Sequence, residues 1–374
     1  MSNRKLIIST GLAMFSMFFG SGNLVFPLVV GQLSQGHYLL ATLGFFATAV
    51  LVPFLGILGM LLFKGDTHSF LSRLGRYAPF WFSLIALSLM GPFGVLARCI
   101  TVAHGSFTLL LPSTPLWLFS LISCALLFLL TVRQNRIVPL LGTYLTPILL
   151  LALGAIALIG LTSHPLPLAI PGTSLSILTD SLLKGYQTMD LLAAFFFSTF
   201  VIRHLEQDDP RASLSIFFRA SLLGAGLLSL IYFVLILAGS MYAPELASIP
   251  PQEMFGHVAQ LALGPLAAPL VATAVILACV TTAVVLATLF AEFVQAHIVP
   301  LSRPLSLLLT LAIAFSTSIL GFSRIAQYLG FFLEMTYPAL ILLTLLNIFH
   351  RLYGWKMVRI PTAVAVLAKV FASI

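Results

Sequence analysis

The sequence predicts an all-α polytopic membrane protein, and three observations support this: its composition, the spacing of its apolar runs and the position of its cations. Of the 374 residues, 60% are hydrophobic and 7% are charged, whereas about 25% are charged in a soluble domain. Apolar runs of about 20 residues, long enough to cross a hydrocarbon core of roughly 30 Å as a helix, alternate with short polar turns. We expect a single transmembrane domain over residues 1–374.

The apolar runs define about eleven helices in order, each bounded by polar turns. The first begins after Arg4-Lys5 and lacks a small-residue cleavage pattern, so it is expected to be a retained helix and not a signal peptide. The predicted spans are 6–31, 38–63, 79–108, 116–132, 140–162, 184–205, 213–241, 264–297, 303–322, 325–349 and 359–373.

The cations predict the orientation of these helices, because cytoplasmic loops carry an excess of Lys and Arg. With a cytoplasmic N-terminus, fourteen of the 18 Lys and Arg residues lie on the inner side. The opposite orientation would expose nearly every loop cation on the outer side. The inner cations are Arg4, Lys5, Lys64, Arg73, Arg76, Arg133, Arg136, Arg203, Arg211, Arg219, Arg303, Arg351, Lys356 and Arg359.

Two stretches of similar length, 6–162 and 184–349, each hold five predicted helices, and the span 359–373 is an additional C-terminal helix. Because five is odd, the second stretch starts on the opposite side of the membrane. Two halves of opposite orientation are typical of the inverted repeats of transporters.

The first span contains an interruption, Gly20-Ser21-Gly22-Asn23, with Pro27 shortly after it. Glycine in a helix interior costs about 1 kcal/mol relative to alanine, and hydrocarbon cannot satisfy the backbone groups that a break exposes. Breaks are tolerated beside protein or a water-filled cavity, where transporters use them to hold substrate and ions. The sequence therefore predicts a broken first helix at a binding site.

If the halves are repeats, the sixth span has an equivalent break. The first break begins at Gly20, fourteen residues after Leu6, and the same distance after Lys184 leads to Ser198. The hydroxyls of Ser198 and Thr199 interrupt an aromatic run there and would satisfy an unwound backbone. The alternative is an intact helix in which they bond to the preceding turn. Phe19 and Phe197 are the aromatic residues that adjoin the two proposed breaks.

The eighth span carries Ala278, Thr281 and Thr282 at positions i, i+3 and i+4, on one helical face. Two hydroxyls and a carbonyl form half of an oxygen site suited to a small alkali cation, since zinc or copper prefers His or thiolate ligands. The other oxygens would come from the unwound first helix. Alternatively, the hydroxyls bond within their own helix or to a neighbouring one.

Four ionisable residues lie within the spans, where burying a charge costs at least about 2.5 kcal/mol. Asp190 either lines an entry path or holds helices together, and Glu292 and Glu334 are either gating or structural residues. Arg98 either snorkels to the interface or pairs with an acid. The cysteines, by contrast, have no metal-binding spacing and are expected to be small buried side chains.

Three ordered motifs resemble those of the bacterial branched-chain amino acid carriers, the BrnQ-type cation symporters. They are MFFGSGNLVFP at 17–27, GYQTMDLLAA at 185–194 and LACVTTA at 277–283. The resemblance implies a leucine-transporter-type (LeuT-type) fold with a 5+5 inverted repeat and broken helices 1 and 6. The chain differs from the family in two respects. It has Ser198 where the family usually has Gly, and about eleven helices where the family usually has twelve.

The resemblance also implies the functional residues. The principal sodium site would consist of Ser16, Phe19, Ala278, Thr281 and Thr282. The substrate would be bound by Phe19, Gly20, Ser21, Gly22, Asn23, Tyr186, Asp190, Phe197, Ser198 and Thr199.

The expected function is import of leucine, isoleucine or valine with Na⁺ across a bacterial inner membrane, by alternating access and without a cofactor. One alternative is a proton-coupled carrier for another small amino acid or amine, in which Asp190 or Glu334 relays protons. The other is a membrane-embedded transferase. The sequence disfavours a transferase because Asp208-Asp209 has no second acidic cluster with which to share a metal ion.

Overall fold

The computed structural model describes residues 3–132, 150–151, 153–154, 165, 167, 174–208, 213–264, 267–354 and 361–362, and within them it contains helices and no strands. The helices are α1 (Asn3–Phe18), α2 (Ser21–Leu33), α3 (Tyr38–Phe46), α4 (Val52–Leu62), α5 (Thr67–Ser72), α6 (Ala78–Met90), α7 (Val95–Phe107), α8 (Leu116–Thr131), α9 (Ser174–Tyr186), α10 (Asp190–Asp208), α11 (Ser213–Met241), α12 (Ala243–Leu246), α13 (Met254–Leu263), α14 (Ala267–His297), α15 (Arg303–Ser318) and α16 (Phe322–Tyr353). A π-helical turn, Ala47–Leu51, joins α3 to α4.

Six candidate membrane spans lie in the described parts of the chain, each close to a predicted one. Five are long apolar helices, and the sixth is the pair α1 and α2, which are bent by 67° at a short break. The helices α8 and α15 are apolar but shorter, with 16 residues each. The predicted spans 140–162 and 359–373 lie almost wholly outside the described residues, so the total of eleven stays a prediction.

The sixth predicted span, 184–205, differs from the structure in its start and in the position of its break. The structure has two helices there, with Gln187, Thr188 and Met189 between them. Met189 has a left-handed backbone conformation, with a φ of +62°. The prediction of a break at Ser198 is wrong, because α10 continues through that residue. The Thr199 hydroxyl bonds to the Phe195 carbonyl one turn earlier, at 3.1 Å, as an intact helix allows.

A π-helical turn in the second span brings this span against α9. The Thr48 hydroxyl, inside the turn, donates to the Leu182 carbonyl of α9 at 2.8 Å. A Cβ atom at Gly185 would overlap that hydroxyl, so glycine is required for the close approach. The second span is thereby joined to the helix that leads into the second break.

The helix α14 lies at the centre of the bundle and contacts α1, α7, α8 and α15. In its most apolar window 72% of the residues are buried, compared with 50% or less in the other four long spans. A second packing centre is α11, which contacts both α1 and α2. The two halves of the first broken span are therefore supported by α11 and touched by α14.

Many large apolar side chains lie on the surface of the bundle and several polar ones lie in its interior, the opposite of a soluble protein. Large apolar side chains such as Leu43 and Leu129 are exposed, as lipid contact allows. Asn23, Arg98 and Asp190, by contrast, are at most 2% exposed. Buried polar groups in a membrane protein mark substrate or ion pathways by default, so the interior around the two breaks is the place to look for function.

Candidate functional site

The first break separates α1 from α2 at Phe19 and Gly20. A Cβ atom at Gly20 would lie 2.9 Å from the Thr282 side chain, so only glycine lets α14 approach the break this closely. The N-terminus of α2 has no side-chain cap, and its first helical bond, from the Leu24 amide to the Gly20 carbonyl, spans 3.2 Å. The preceding amides, of Ser21, Gly22 and Asn23, have no helical acceptor. An uncapped helix start of this kind favours an anion.

The second break, Gln187–Met189, touches the first. A Cβ atom at Gly22 would lie 3.2 Å from the Gln187 carbonyl oxygen and 3.3 Å from the Thr188 Cα atom. The two unwound segments thus meet at Gly22, although 164 positions of sequence separate Asn23 from Gln187. Backbone groups of two spans therefore meet in one small region, where the amides of the second break donate to carbonyls of the preceding turn and those at the start of α2 have no helical acceptor.

Asp190, the first residue of α10, is held by two polar side chains. The Asn23 side-chain amide donates to Asp190 Oδ2 at 2.6 Å, and the Tyr232 hydroxyl donates to the same oxygen at 3.0 Å. The Asn23 amide also contacts the Tyr232 hydroxyl. The network joins α2, α10 and α11, and Tyr232 is a residue that the sequence analysis missed, because nothing near it in the sequence marks it.

An oxygen cluster lies where α14 meets the end of α1. The hydroxyls of Thr281 and Thr282 each donate a hydrogen bond to the Ser16 carbonyl oxygen of the neighbouring helix, at 3.2 Å. The Thr281 hydroxyl is also 2.9 Å from the Ala278 carbonyl, and the Thr282 hydroxyl is 3.2 Å from that of Met17. All five residues are at most 4% exposed.

The cluster contains four of the five residues predicted to hold sodium. The Met17 carbonyl is an additional oxygen, and the described contacts of the two hydroxyls do not include the Phe19 carbonyl. All of its groups are neutral oxygens, the ligands that a hard cation prefers. Within the described residues no group of three or more His, Cys, Asp or Glu side chains could hold a transition metal.

Arg98 of α7 is completely buried, with 0% exposure. Its Nη2 atom donates to the Gln187 carbonyl at 3.0 Å, and its guanidinium lies 5.5 Å from the Phe26 ring centre. It therefore does not snorkel to an interface. It also does not form an ion pair in the part of the chain that the structure describes, where the only such pair is Arg303 with Glu292 at 3.5 Å.

The other predicted substrate residues are spread around the second break. Phe197 packs edge-on against Phe18, with ring centres 5.4 Å apart, and Tyr186 packs against Tyr337 at 5.0 Å. Ser198 is completely buried and its hydroxyl has no partner among the described residues. Thr199 is separate from this group, since its hydroxyl bonds to the Gly65 carbonyl before α5 at 2.8 Å.

A cavity lies beside Asp190, between α1, the second span and α11. Its walls are mainly apolar and include Met14 and Phe18, with Ser221 as another polar side chain. Phe18, and not the predicted Phe19, lines it, because Phe19 is turned to stack on Phe15 at 5.2 Å. The cavity therefore combines a carboxyl group with an apolar wall.

Solved structures with the same architecture are transporters. The chain is similar to MhsT in complex with L-phenylalanine, at 16% identity and a TM-score of 0.69 over 98% of both chains. It is also similar to a manganese transporter of Eremococcus coleocola, at 16% identity and a TM-score of 0.57 over 98% of this chain and 85% of the other. At these identities the likeness concerns the fold alone. The protein has the LeuT-type transporter fold, as the sequence predicted.

Within that class, the chain belongs to the branched-chain amino acid transport protein family, whose model matches residues 3–374. It is 28% identical to the branched-chain amino acid permease BrnQ of Corynebacterium glutamicum, over 94% of this chain and 82% of the relative. It is 29% identical to the branched-chain amino acid transport system 3 carrier protein of Pseudomonas aeruginosa, over 91% and 80%. The BrnQ permease of Lactobacillus delbrueckii is also 29% identical, over 97% and 85%. The predicted family is confirmed, and the protein is a multi-pass membrane transporter and not an enzyme.

Proposed function

We propose that this protein imports leucine, isoleucine or valine together with Na⁺ across a bacterial inner membrane, with its N-terminus in the cytoplasm. The names of the family and of its relatives support the substrate class. The excess of cations in the predicted inner loops supports the orientation.

The observation that carries the proposal of Na⁺ coupling is the oxygen cluster between α1 and α14. Two threonine hydroxyls approach the Ser16 carbonyl at 3.2 Å from a different helix. A bound cation would replace these hydrogen bonds, with the same carbonyl and hydroxyl oxygens as its ligands, and so join α14 to the first break. Because Gly20 touches Thr282, the cation site borders the break at which substrate would bind. Ion and substrate would then stabilise the same closed arrangement.

The substrate has three chemically distinct parts, and each finds a suitable environment around the breaks. Its carboxylate suits the uncapped N-terminus of α2, where helix amides and the helix dipole favour negative charge. Its ammonium suits the carbonyls of the second break and the Asp190 carboxyl group. Its aliphatic side chain suits the apolar wall that includes Phe18, with Phe197 packed behind it.

Transport would follow an alternating-access cycle in which the predicted halves, 6–162 and 184–349, move relative to each other around the breaks. The breaks allow the outer and inner segments of one span to tilt separately. Binding of Na⁺ and substrate together would favour the closed state from which the site reopens on the other side.

The test is uptake of radiolabelled leucine into proteoliposomes under an inward Na⁺ gradient, with a K⁺ gradient and a proton gradient as comparisons. We expect uptake with Na⁺ alone. Competition by unlabelled isoleucine and valine, but not by lysine, would support the substrate class. Absence of leucine uptake under every gradient would contradict the proposed substrate.

The second candidate is proton coupling, and it is favoured by the Asp190 network. A carboxyl group that is 2% exposed and bound to Asn23 and Tyr232 is a possible proton carrier. Uptake driven by a proton gradient and abolished in Asp190→Asn would select this mechanism. Glu334, which is half-buried on α16, is the next residue to test.

A further inference from the structure

We propose that Arg98 binds the carboxylate of the transported amino acid and makes the site select for that group. The inference rests on the proposed function in one respect, namely that the substrate is an amino acid. It adds a residue that neither the helix break nor the family resemblance assigns to the substrate.

The charge of Arg98 is incompletely satisfied within the described structure. Two of its three side-chain nitrogens, Nε and Nη1, are buried and have no hydrogen-bond partner in the described structure. The third, Nη2, donates to the Gln187 carbonyl. A buried cation without hydrogen bonds and an anionic partner is strongly unfavourable. An anion that arrives with each transport cycle would remove this cost.

No carboxylate of the described residues bonds directly to Arg98. Within the described residues, ion pairing at 4.0 Å or less involves Arg303 and Glu292 only. The acidic residue of the second break, Asp190, already accepts hydrogen bonds from Asn23 and Tyr232. The charge of Asp190 acts on Arg98 only at longer range, so a directly bound anion is to be sought in a ligand.

The guanidinium of Arg98 also lies beside a second feature that favours an anion. A Cβ atom at Gly22 would lie 3.2 Å from Arg98 Nη2, so the guanidinium packs against the first turn of α2. Its N-cap residue, Gly20, supplies no side-chain cap to that turn. A carboxylate bound beside both would accept hydrogen bonds from the unpaired guanidinium nitrogens and from helix amides, two kinds of donor that each favour an anion.

The geometry also provides for the rest of an amino acid. The side-chain oxygen of Gln187 is buried and has no partner among the described residues. It can accept a hydrogen bond from an ammonium group. Unpaired donors on Arg98 and an unpaired acceptor on the residue that Arg98 contacts match the two ends of a zwitterion.

The test compares binding of leucine and leucinamide to the purified full-length protein in Na⁺, by competition with radiolabelled leucine. Leucinamide keeps the side chain and the ammonium but replaces the carboxylate with a neutral amide. Since a charge-assisted contact contributes roughly a factor of 10 to 100 in affinity, the wild type should prefer leucine by at least that factor. In Arg98→Gln, leucine should weaken about 10- to 100-fold and leucinamide should change less than about threefold.

Two variants make the result specific. Arg98→Lys keeps the charge but loses the planar fork, and its preference for leucine should be intermediate. Arg73→Gln, the matched control, removes another arginine that bonds to Asn347 at 3.2 Å, away from the breaks, and should keep the wild-type preference. The Na⁺-induced rise in melting temperature should persist in Arg98→Gln, as a sign of an intact fold and cation site.

Equal binding of leucine and leucinamide by the wild type would overturn the inference without any variant. An unchanged preference for leucine in Arg98→Gln, or a parallel loss of both compounds, would overturn it as well. If the wild type binds neither compound, the proposed substrate fails and the inference fails with it. Leucine binding without a role for Arg98 would leave the proposed function intact.

Discussion

At the residue scale, Thr282 links the two features on which the proposed transport depends. Its hydroxyl lies 3.2 Å from the carbonyls of Ser16 and Met17, and its side chain closes over Gly20. Thr288 on the same helix is equally buried, but its hydroxyl bonds back to Val284 at 2.8 Å. One helix therefore carries a threonine that reaches another span and one that does not.

We expect Thr282→Ala to raise the Na⁺ concentration for half-maximal leucine binding by about tenfold or more, because contacts to a charge contribute about 1.5–3 kcal/mol. The measurement is a Na⁺ titration of leucine binding by the purified variant. Thr288→Ala is the matched control and should stay within about twofold of the wild type. Equal effects of the two substitutions would argue against the proposed cation site.

Gly22 is the second residue at which a small change should have a large effect. A side chain there would press on Arg98 and on the backbone of the second break. We expect Gly22→Leu to abolish leucine binding in an equilibrium assay, since the two breaks would be forced apart. A Cβ atom at Gly226 of α11, by contrast, would meet nothing within 4 Å, so Gly226→Leu should bind normally. Normal leucine binding by Gly22→Leu would contradict the proposal that the substrate binds at the break in the first span.

At the element scale, α2 and α11 are packed through small residues. The Cβ atoms of side chains at Gly31 and Gly239 would overlap the carbonyls of Ile236 and Leu28 on the facing helix. The hydroxyls of Ser34 and Ser240 pair at 2.9 Å beside them. Small residues let helix backbones approach closely in a membrane, where packing replaces the hydrophobic effect as the source of association.

Gly239→Leu should therefore lower the apparent melting temperature in detergent by several degrees, since overpacking costs about 1–3 kcal/mol. Gly226→Leu on the same helix faces open space and should leave the melting temperature unchanged. A thermal-unfolding assay by size-exclusion chromatography compares the two. If both variants melted like the wild type, the close packing of α2 on α11 would be contradicted.

The positions of the two breaks also differ in how well the sequence predicts them. The first break carries two glycines, which raise the cost of a helix wherever they occur. The second lies at Gln187–Met189, where no residue type by itself excludes a helix. Its geometry is held by distant contacts, from Arg98 to Gln187 and from Thr48 to the end of α9. Counting residues between the halves consequently gave the wrong position, Ser198.

At the scale of the whole molecule, the proposed orientation puts the segment between α5 and α6 in the cytoplasm and the segment between α7 and α8 outside. Arg76 and Ser113 are exposed residues of these two segments. The native cysteines Cys99, Cys124 and Cys279 are free and buried, so the wild type should give little labelling by a membrane-impermeant reagent.

We expect a membrane-impermeant maleimide to label Ser113→Cys in intact cells, and Arg76→Cys only after the membrane is permeabilised. Gel detection of the labelled protein is the measurement, and the wild type is the blank. The reverse pattern would contradict the proposed topology.

The amino-acid sequence by itself determined the class of protein, the order of the main spans, the first break and the family. It also determined which face of α14 carries the threonine pair, because helical spacing is a local property. Composition, apolar run length and glycine content depend on residues near each other in the chain, so they can be interpreted without a structure.

Only the tertiary structure decided which distant residues these side chains and breaks contact. It brought the Ser16 carbonyl to Thr281 across 265 positions, Asp190 to Asn23 across 167 and Arg98 to the second break across 89. The reason is physical: a hydrogen bond depends on separation in space, and the packing of whole helices sets the separation between distant segments. A buried arginine is a single letter in the sequence, and its unsatisfied donors become visible only when its neighbours are known.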